Sequence, residues 1–172
     1  KKRDDKGDVI SNEAYDKDAT YTSKRVHKHH GLKMHISTDT NGVIKDVIAT
    51  TAKTHDSTQF ETLTKDEKKA VFADSGYMSK ERKKKLREDG IFGGIVERRV
   101  RNQSKLRDKQ TRNNKRFAKI RSLVELPFAF IKHHMKFRET RYLGIDKNQQ
   151  HFYLLAVCYN LRRIPNLIKT SG

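Results

Sequence analysis

The sequence predicts an α/β domain in which a mixed sheet is flanked by helices. Three patterns carry that reading: apolar alternation on both sides of Asn41-Gly42, an unalternating apolar run Ala70–Ala73 that stops at Asp74, and a stripe of Phe117, Ile120, Val124, Phe128, Ile131 and Met135. Alternation around Asn-Gly signals a hairpin. A short run without alternation suits a strand buried on both faces. Apolar residues recurring every three or four positions line one side of a helix.

Taken in order, residues 1–30 are polar and charged, and only Val9 and Ile10 could seed regular structure, so they read as an irregular arm. The domain proper is expected over 31–168. Leu32, Met34 and Ile36 alternate with Lys33, His35 and Ser37, and Val43, Ile44, Val47 and Ile48 follow the turn. Thr54-His55-Asp56-Ser57 offers caps for a short helix to about Leu63. After the strand ending at Asp74, Ser79 can cap a helix with Glu81 in its first turn and Gly90 as its stop. A strand over Ile91–Val96 comes next. Residues 97–121 hold eleven Lys or Arg and two acids, a loop or a solvated helix start. Pro127 should kink or break the striped helix. Asp146 can cap a last helix whose segment Phe152–Leu161 is apolar nearly all round, so that helix is expected to be buried in the core. There is no internal repeat.

A chain of 172 residues with 34% apolar content fits one domain with a real core. Its 39 Lys and Arg against 21 Asp and Glu leave a net charge of +18, the footprint of a protein that neutralises phosphates. Charge does not separate DNA from RNA. Cys158 has no partner in the chain, which excludes a disulfide framework and a cysteine zinc site. No apolar stretch approaches the roughly 20 residues that span a bilayer, and the opening Lys1-Lys2-Arg3-Asp4-Asp5 is no signal peptide. A soluble, cytoplasmic protein is expected, with no membrane partner. The first residue is not Met and the opening does not read as a domain start, which suggests a fragment.

Two carboxylates stand out. Asp74 ends a buried strand, where open α/β sheets place their ligands, although an Asp before Ser75-Gly76 also suits a plain turn. Glu125 shares a helix face with Arg121 and Lys132, which fits either an active site or an ordinary salt-bridge ladder. Together the two acids could hold a divalent metal, since Mg²⁺ takes oxygen ligands and assists phosphoryl transfer. Asp39 precedes Asn41-Gly42 and suits a turn. His27, His29, His30 and His35 lie close in sequence, but there is no HExxH motif, and the adjacent His133 and His134 point to different faces. A basic surface enriched in His accounts for them better than zinc.

Arg121, Glu125 and Lys132, separated by three and six residues, resemble the signature around the last catalytic acid of DDE transposases of the bacterial insertion-sequence-five type. Gly31–Asp39, Thr54–Ser57, Ala73-Asp74-Ser75-Gly76-Tyr77, Arg141-Tyr142-Leu143-Gly144 and His151–Arg162 resemble further family motifs, in the family's order. The resemblance runs from about Asp16 to Arg163. It implies a ribonuclease-H-like fold and a polynucleotidyl transferase that cuts DNA at transposon ends and joins it to target DNA with Mg²⁺ or Mn²⁺. Asp74 and Glu125 take the roles of the second and third catalytic and metal-binding acids. Arg121 and Lys132 take that of contacts to transposon-end phosphates. The family's Tyr three residues before the Arg is Ala118 here, beside Phe117. The first catalytic Asp belongs on a strand before the polar arm, so the sheet is expected to lack its first strand and the fragment to be inactive alone.

The resemblance places the chain on DNA in the bacterial nucleoid and allows a homo-oligomer there. Two other readings compete: a basic DNA-binding remnant without catalysis, and an RNA-binding structural protein. The catalytic reading expects Asp74 and Glu125 to approach within roughly 4–9 Å, flanking two ions about 3.5–4 Å apart. It also expects salt-sensitive, sequence-tolerant DNA binding through 97–121, with Lys105, Arg107 and Lys109 as phosphate contacts.

Overall fold

The computed structural model describes residues 2–3, 9–11, 16–24, 27–99 and 104–170. Seven strands and five α-helices occur in these residues. Two very short strands, β1 (Lys2–Arg3) and β2 (Val9–Ser11), pair with each other. Strand β3 (Thr20–Lys24) runs antiparallel to the first part of the long strand β4 (His27–Thr38), with Thr20 opposite Gly31. Strand β5 (Ile44–Thr51) pairs with the second part, from Leu32 opposite Thr51 to Thr38 opposite Ile44. Gly31 stands where β4 changes partner, at φ 151, a conformation that L side chains rarely adopt.

The hairpin forms where the alternation puts it. Asp39 closes it as a turn residue: its Oδ1 accepts the N–H groups of Asn41 and Val43 at 2.8 and 2.9 Å. Helix α5 (Ile145–Thr170) lies on this sheet and satisfies the outer edge of β5 with side-chain amides. Asn160 exchanges two 2.9 Å bonds with the backbone of Ile44. Gln149 accepts from Ala49 N–H and donates to Val47 C=O. An edge strand is thereby covered instead of left open. The larger core joins Ile36, Ile44, Val47 and Ala49 of the sheet to Phe152, Leu155, Ala156 and Tyr159 of α5 and Ile131 of α4.

The second unit is a parallel pair, β6 (Ala70–Ala73) and β7 (Phe92–Ile95), joined through helix α2 (Lys80–Glu88). Its core is smaller: Val71, Ala73, Leu86 and Ile95, with Phe60 of the short helix α1 (Phe60–Thr64). Among the described residues no strand-to-strand hydrogen bonding connects this pair to the antiparallel sheet. Helix α3 (Asp108–Arg121) packs on the parallel pair, with Phe117 tilted against Phe72 and edge to face with Phe92.

Four expectations need correction. Within the arm, residues 20–24 are a sheet strand, because Thr20–Lys24 is a backbone partner for β4 although its sequence lacks apolar alternation. Arm residues 4–8, 12–15 and 25–26 lie outside the described residues. The striped helix does break, but at the 3-10 turn Ser122–Val124, ahead of Pro127. Pro127 instead sits buried in the first turn of α4 (Glu125–His133), where the N–H it lacks would have no helical acceptor.

Helix α5 is capped by Asp16 and Asp18, not by Asp146: their carboxylates accept from Gly144 N–H at 3.0 Å and Ile145 N–H at 2.8 Å. A side chain from the chain's other end thus does what a local residue was expected to do. Finally, α5 buries one face only, and Leu154, Val157 and Leu161 of its apolar segment are exposed. No helix among the described residues is long and apolar enough to cross a membrane.

Candidate active site

Asp74 follows the last residue of β6, at the carboxyl end of the parallel pair, and is exposed. Its Oδ1 accepts Ser75 N–H at 2.7 Å and Ser75 Oγ–H at 3.3 Å, which starts the 3-10 turn Ser75–Tyr77. Both bonds fall on one oxygen, so Oδ2 remains available. Arg98, just past β7, donates from Nε to Ser75 Oγ at 2.6 Å. This brings a guanidinium to the same strand end. Beneath lies Tyr77, whose hydroxyl is pushed up by burial and by the negative charges of Asp56 and Asp74.

Glu125 opens α4 at the break in the striped helix. Its Oε1 pairs with Nη2 of Arg121, the last residue of α3, at 3.1 Å. The carboxylate is largely exposed, so this surface pair adds little stability and leaves the group able to bind a ligand. Lys132 is exposed in the last turn of α4 and makes no ion pair with Glu125. Of the three residues expected to share a face, the structure therefore joins Arg121 and Glu125 only. No hydrogen bond or ion pair links the Asp74–Ser75–Arg98 group to the Arg121–Glu125 pair.

The basic stretch has a built anchor that sequence reasoning overlooked. Glu97 accepts from Lys83 Nζ on α2 at 2.6 Å and from Gln110 Nε2 on α3 at 2.6 Å, and its backbone exchanges two 2.9 Å bonds with the Asn114 side chain. The Lys83 ammonium, outweighing partial burial, holds the Glu97 carboxyl below its ordinary range. The signal was present: Glu97 is one of two acids in a run with eleven cations. Beside it, Arg107, Lys109, Asn113 and Phe117 line a cavity of about 290 Å³. Lys105, Arg107 and Lys109 are all exposed, as phosphate contacts must be. Residues 100–103 of this stretch lie outside the described residues, as do the side chains of His27 and His29.

Among the described residues no group of three or more His, Cys, Asp or Glu could hold a metal ion. The donor chemistry of Asp74 and Glu125 nevertheless suits a hard cation: two exposed carboxylates, one with Oδ2 unengaged and one with a single ion pair.

Residues 4–161 match the family described as Transposase DDE domain. The chain is 32% identical over 161 residues to "Transposase for insertion sequence element IS1106" of Neisseria meningitidis serogroup B. That alignment covers 91% of the chain and 55% of the relative, so the chain spans about half the length of the curated protein it matches. No solved structure matches it. With a family match that takes in both Asp74 and Glu125, the chain belongs to the DDE transposase family.

Proposed function

We propose that this chain carries the second and third acids of the catalytic centre of an insertion-sequence transposase of the insertion-sequence-five type. The reaction is metal-dependent DNA strand cleavage followed by strand transfer. The observation that carries the proposal is Asp74 at the carboxyl end of a parallel strand, with one carboxylate oxygen free, within a chain of this family. Asp74 and Glu125 would hold Mg²⁺ or Mn²⁺, which when bound stabilises the attacking and leaving oxygens of the phosphoryl group. Arg121, paired with Glu125 at 3.1 Å, orients that carboxylate and would also meet a transposon-end phosphate. Lys132, Lys105, Arg107 and Lys109 hold DNA phosphates of transposon end and target. A further carboxylate would complete the centre in this reading, and a chain that lacks it would be inactive.

The domain, residues 31–168, is ribonuclease-H-like in this reading. Among the described residues, strand β4 over 32–38 is bonded to β5 alone, and β6 is bonded to β7 alone. Each therefore keeps an edge to which a central strand could add, and such a strand bearing the first Asp would join the two sheets. The protein acts on DNA in the cytoplasm, at the nucleoid.

The test is strand cleavage of a transposon-end duplex by the intact transposase with Mg²⁺ or Mn²⁺. Asp74→Ala and Glu125→Ala should each abolish cleavage while leaving DNA binding in place. Cleavage that survives either change removes that residue from the centre, and Mg²⁺-dependent cleavage by the 172-residue chain removes the need for a further acid. The basic surface is tested separately. Changing Lys105, Arg107 and Lys109 to Ala together should weaken binding to all sequences about equally and lower the salt slope by about 0.9 per lost phosphate contact. Salt-independent binding would contradict that role.

A further inference from the structure

Ser75 stands between two groups that both keep unused bonding capacity. Its Oγ accepts Arg98 Nε–H at 2.6 Å and donates to Asp74 Oδ1 at 3.3 Å, while its backbone N–H bonds the same carboxylate oxygen at 2.7 Å. A carboxylate and a guanidinium are thereby held one hydroxyl apart at the carboxyl ends of β6 and β7. Among the described residues no ion pair joins Arg98 to Asp74 or to any other acid. Only Nε of Arg98 is engaged; neither Nη group has a partner among the described residues, and the side chain is exposed.

Neighbouring charges leave this arginine without a structural employment. The carboxylate of Glu97 is divided between Lys83 on Oε1 and Gln110 on Oε2, each at 2.6 Å. Arg99 is turned the other way, donating to Ser104 C=O at 2.9 Å. Most exposed arginines without an acid to neutralise are solvated along their whole length and hold no fixed plane. Here the bond through Nε sets the plane of the guanidinium and leaves its outer edge, the one formed by Nη1 and Nη2, to pair with two oxygens of an anion.

We propose that Arg98 grips a phosphodiester of the DNA strand on which Asp74 acts, at or next to the bond that is cut, through its two Nη groups. The proposal deepens the catalytic reading and rests on it for the identity of the strand. The donors define the ligand: parallel N–H groups on a planar cation match the two non-bridging oxygens of a phosphate. The net charge of +18 draws a polyanion to this surface and repels isolated cations. Ser75 is the positioning residue for both partners. Its hydroxyl takes the place of a direct Arg98–Asp74 pair, which would neutralise Oδ2 and set the guanidinium against a metal ion at the same oxygen. Lysine could not do both tasks, because an ammonium bonded to Ser75 Oγ would have its charge at the serine and not at the phosphate.

The test is binding by the intact transposase, in EDTA, to transposon-end duplexes in which one phosphate at a time around the cleavage site is replaced by an uncharged methylphosphonate. The parent should lose about 10-fold in affinity at one of these phosphates, the size of a lost charge-assisted contact. Arg98→Gln should bind the unmodified duplex about 10-fold more weakly and lose less than about 2-fold more when that same phosphate is neutralised, because the contact is already gone. Arg98→Lys keeps the charge without the fork, so it should respond at the same phosphate with a smaller loss than the parent; it carries the test if Arg98→Gln does not fold. A purely structural role would weaken binding to every duplex alike and leave the pattern of sensitive phosphates as in the parent, which would overturn the proposal. So would a parent that is indifferent to all the methylphosphonates. Cleavage of the unmodified duplex with Mg²⁺ separates this outcome from failure of the catalytic reading. An active Asp74→Ala sinks that reading and, with it, the placement of Arg98 beside the cut. An inactive Asp74→Ala with a parental pattern in Arg98→Gln sinks the phosphate contact alone.

Discussion

The antiparallel unit and the parallel unit are held together by different means. In the first, α5 is fixed to the hairpin by side-chain amides on backbone groups 100 to 116 residues away in sequence, over a core that includes Phe152 at 2% exposure. In the second, the core is five residues, and much of the attachment is ionic or aromatic: Glu97 links α2 to α3, and Arg82 pairs with Glu61 while lying over the Phe60 ring at 4.4 Å. The first unit is a scaffold with few exposed cations in its core contacts. The second carries Asp74, Arg98 and the basic stretch, while Glu125 and Lys132 lie on α4, whose Ile131 belongs to the larger core. The proposed groups are thus divided between the two units, and those on the more lightly packed one can adjust without loosening the scaffold.

The strongest way to break this comparison is Phe152→Ala. Loss of that buried ring should cost about 3–5 kcal/mol in urea-induced unfolding. If the units are mechanically distinct, amides of β6 and β7 keep part of their hydrogen-exchange protection while those of β4 and β5 lose theirs. Loss of both together would make the chain one cooperative body and erase the distinction.

Gly94→Ala attacks the other unit. A Cβ at Gly94 would stand 2.4 Å from the Phe72 ring, on the paired strand, so the ring must move and disturb its contacts with Phe92 and Phe117. Overpacking of this kind costs about 1–3 kcal/mol. The change should lower the urea midpoint and leave the β4–β5 amides protected; no shift at all would show that the aromatic cluster is loosely held.

Acid separates the units by pH window. His35 is buried on β4, with Nε2 2.7 Å from Thr50 Oγ1, and burial depresses its pKa below the ordinary 6.5, against a smaller opposing pull from Asp56. The unfolded chain then binds the proton more readily, so the stability His35 confers is complete above pH 6.5 and lost as pH falls through its lower folded value. Glu97, depressed by Lys83, behaves likewise from a lower start: its contribution is complete above 4.5 and lost as pH falls further. Unfolding followed from pH 7.5 downward should therefore weaken the antiparallel unit first. His35→Gln should remove the upper part of that pH dependence.

The smallest expected effect is that of Glu97→Gln. Its pairs are partly exposed, so less than about 1 kcal/mol should be lost. The consequence would instead appear as faster exchange of the first-turn amides of α3. Unchanged exchange there would mean that Glu97 does not anchor the basic helix.

What could be read from the sequence was local. The hairpin around Asn41-Gly42, the strand Ala70–Ala73, the Ser79 cap of α2 and the strand before Val96 each depend on residues a few positions apart. Ser79 Oγ does accept from Arg82 N–H, and Asp39 is the turn acid expected of it. What escaped depends on distant partners. Thr20–Lys24 becomes a strand because β4 extends past the hairpin, and no period within those five residues announces it. The α3–α4 break precedes Pro127 because a proline in a helix's first turn breaks nothing. At the site, Asp74 and Glu125 were visible as residue types in known spacing. Arg98 and Glu97 were lost in a run of charge whose members differ only in what they touch.

The clasp of Asp16 and Asp18 on the start of α5 bears on how the molecule is made. Asp16 is held below the usual carboxylate range first by the Gly144 N–H, a contact that closes a loop of 128 residues. During synthesis Asp16 and Asp18 are made well before Gly144, so their turn has no target until the residues between them and α5 have been translated. Strand β3, only two residues beyond Asp18, gains its neighbour β4 early. The start of α5 is thus locked by a turn that precedes the antiparallel sheet in sequence, and this clasp is among the last contacts of the unit to close.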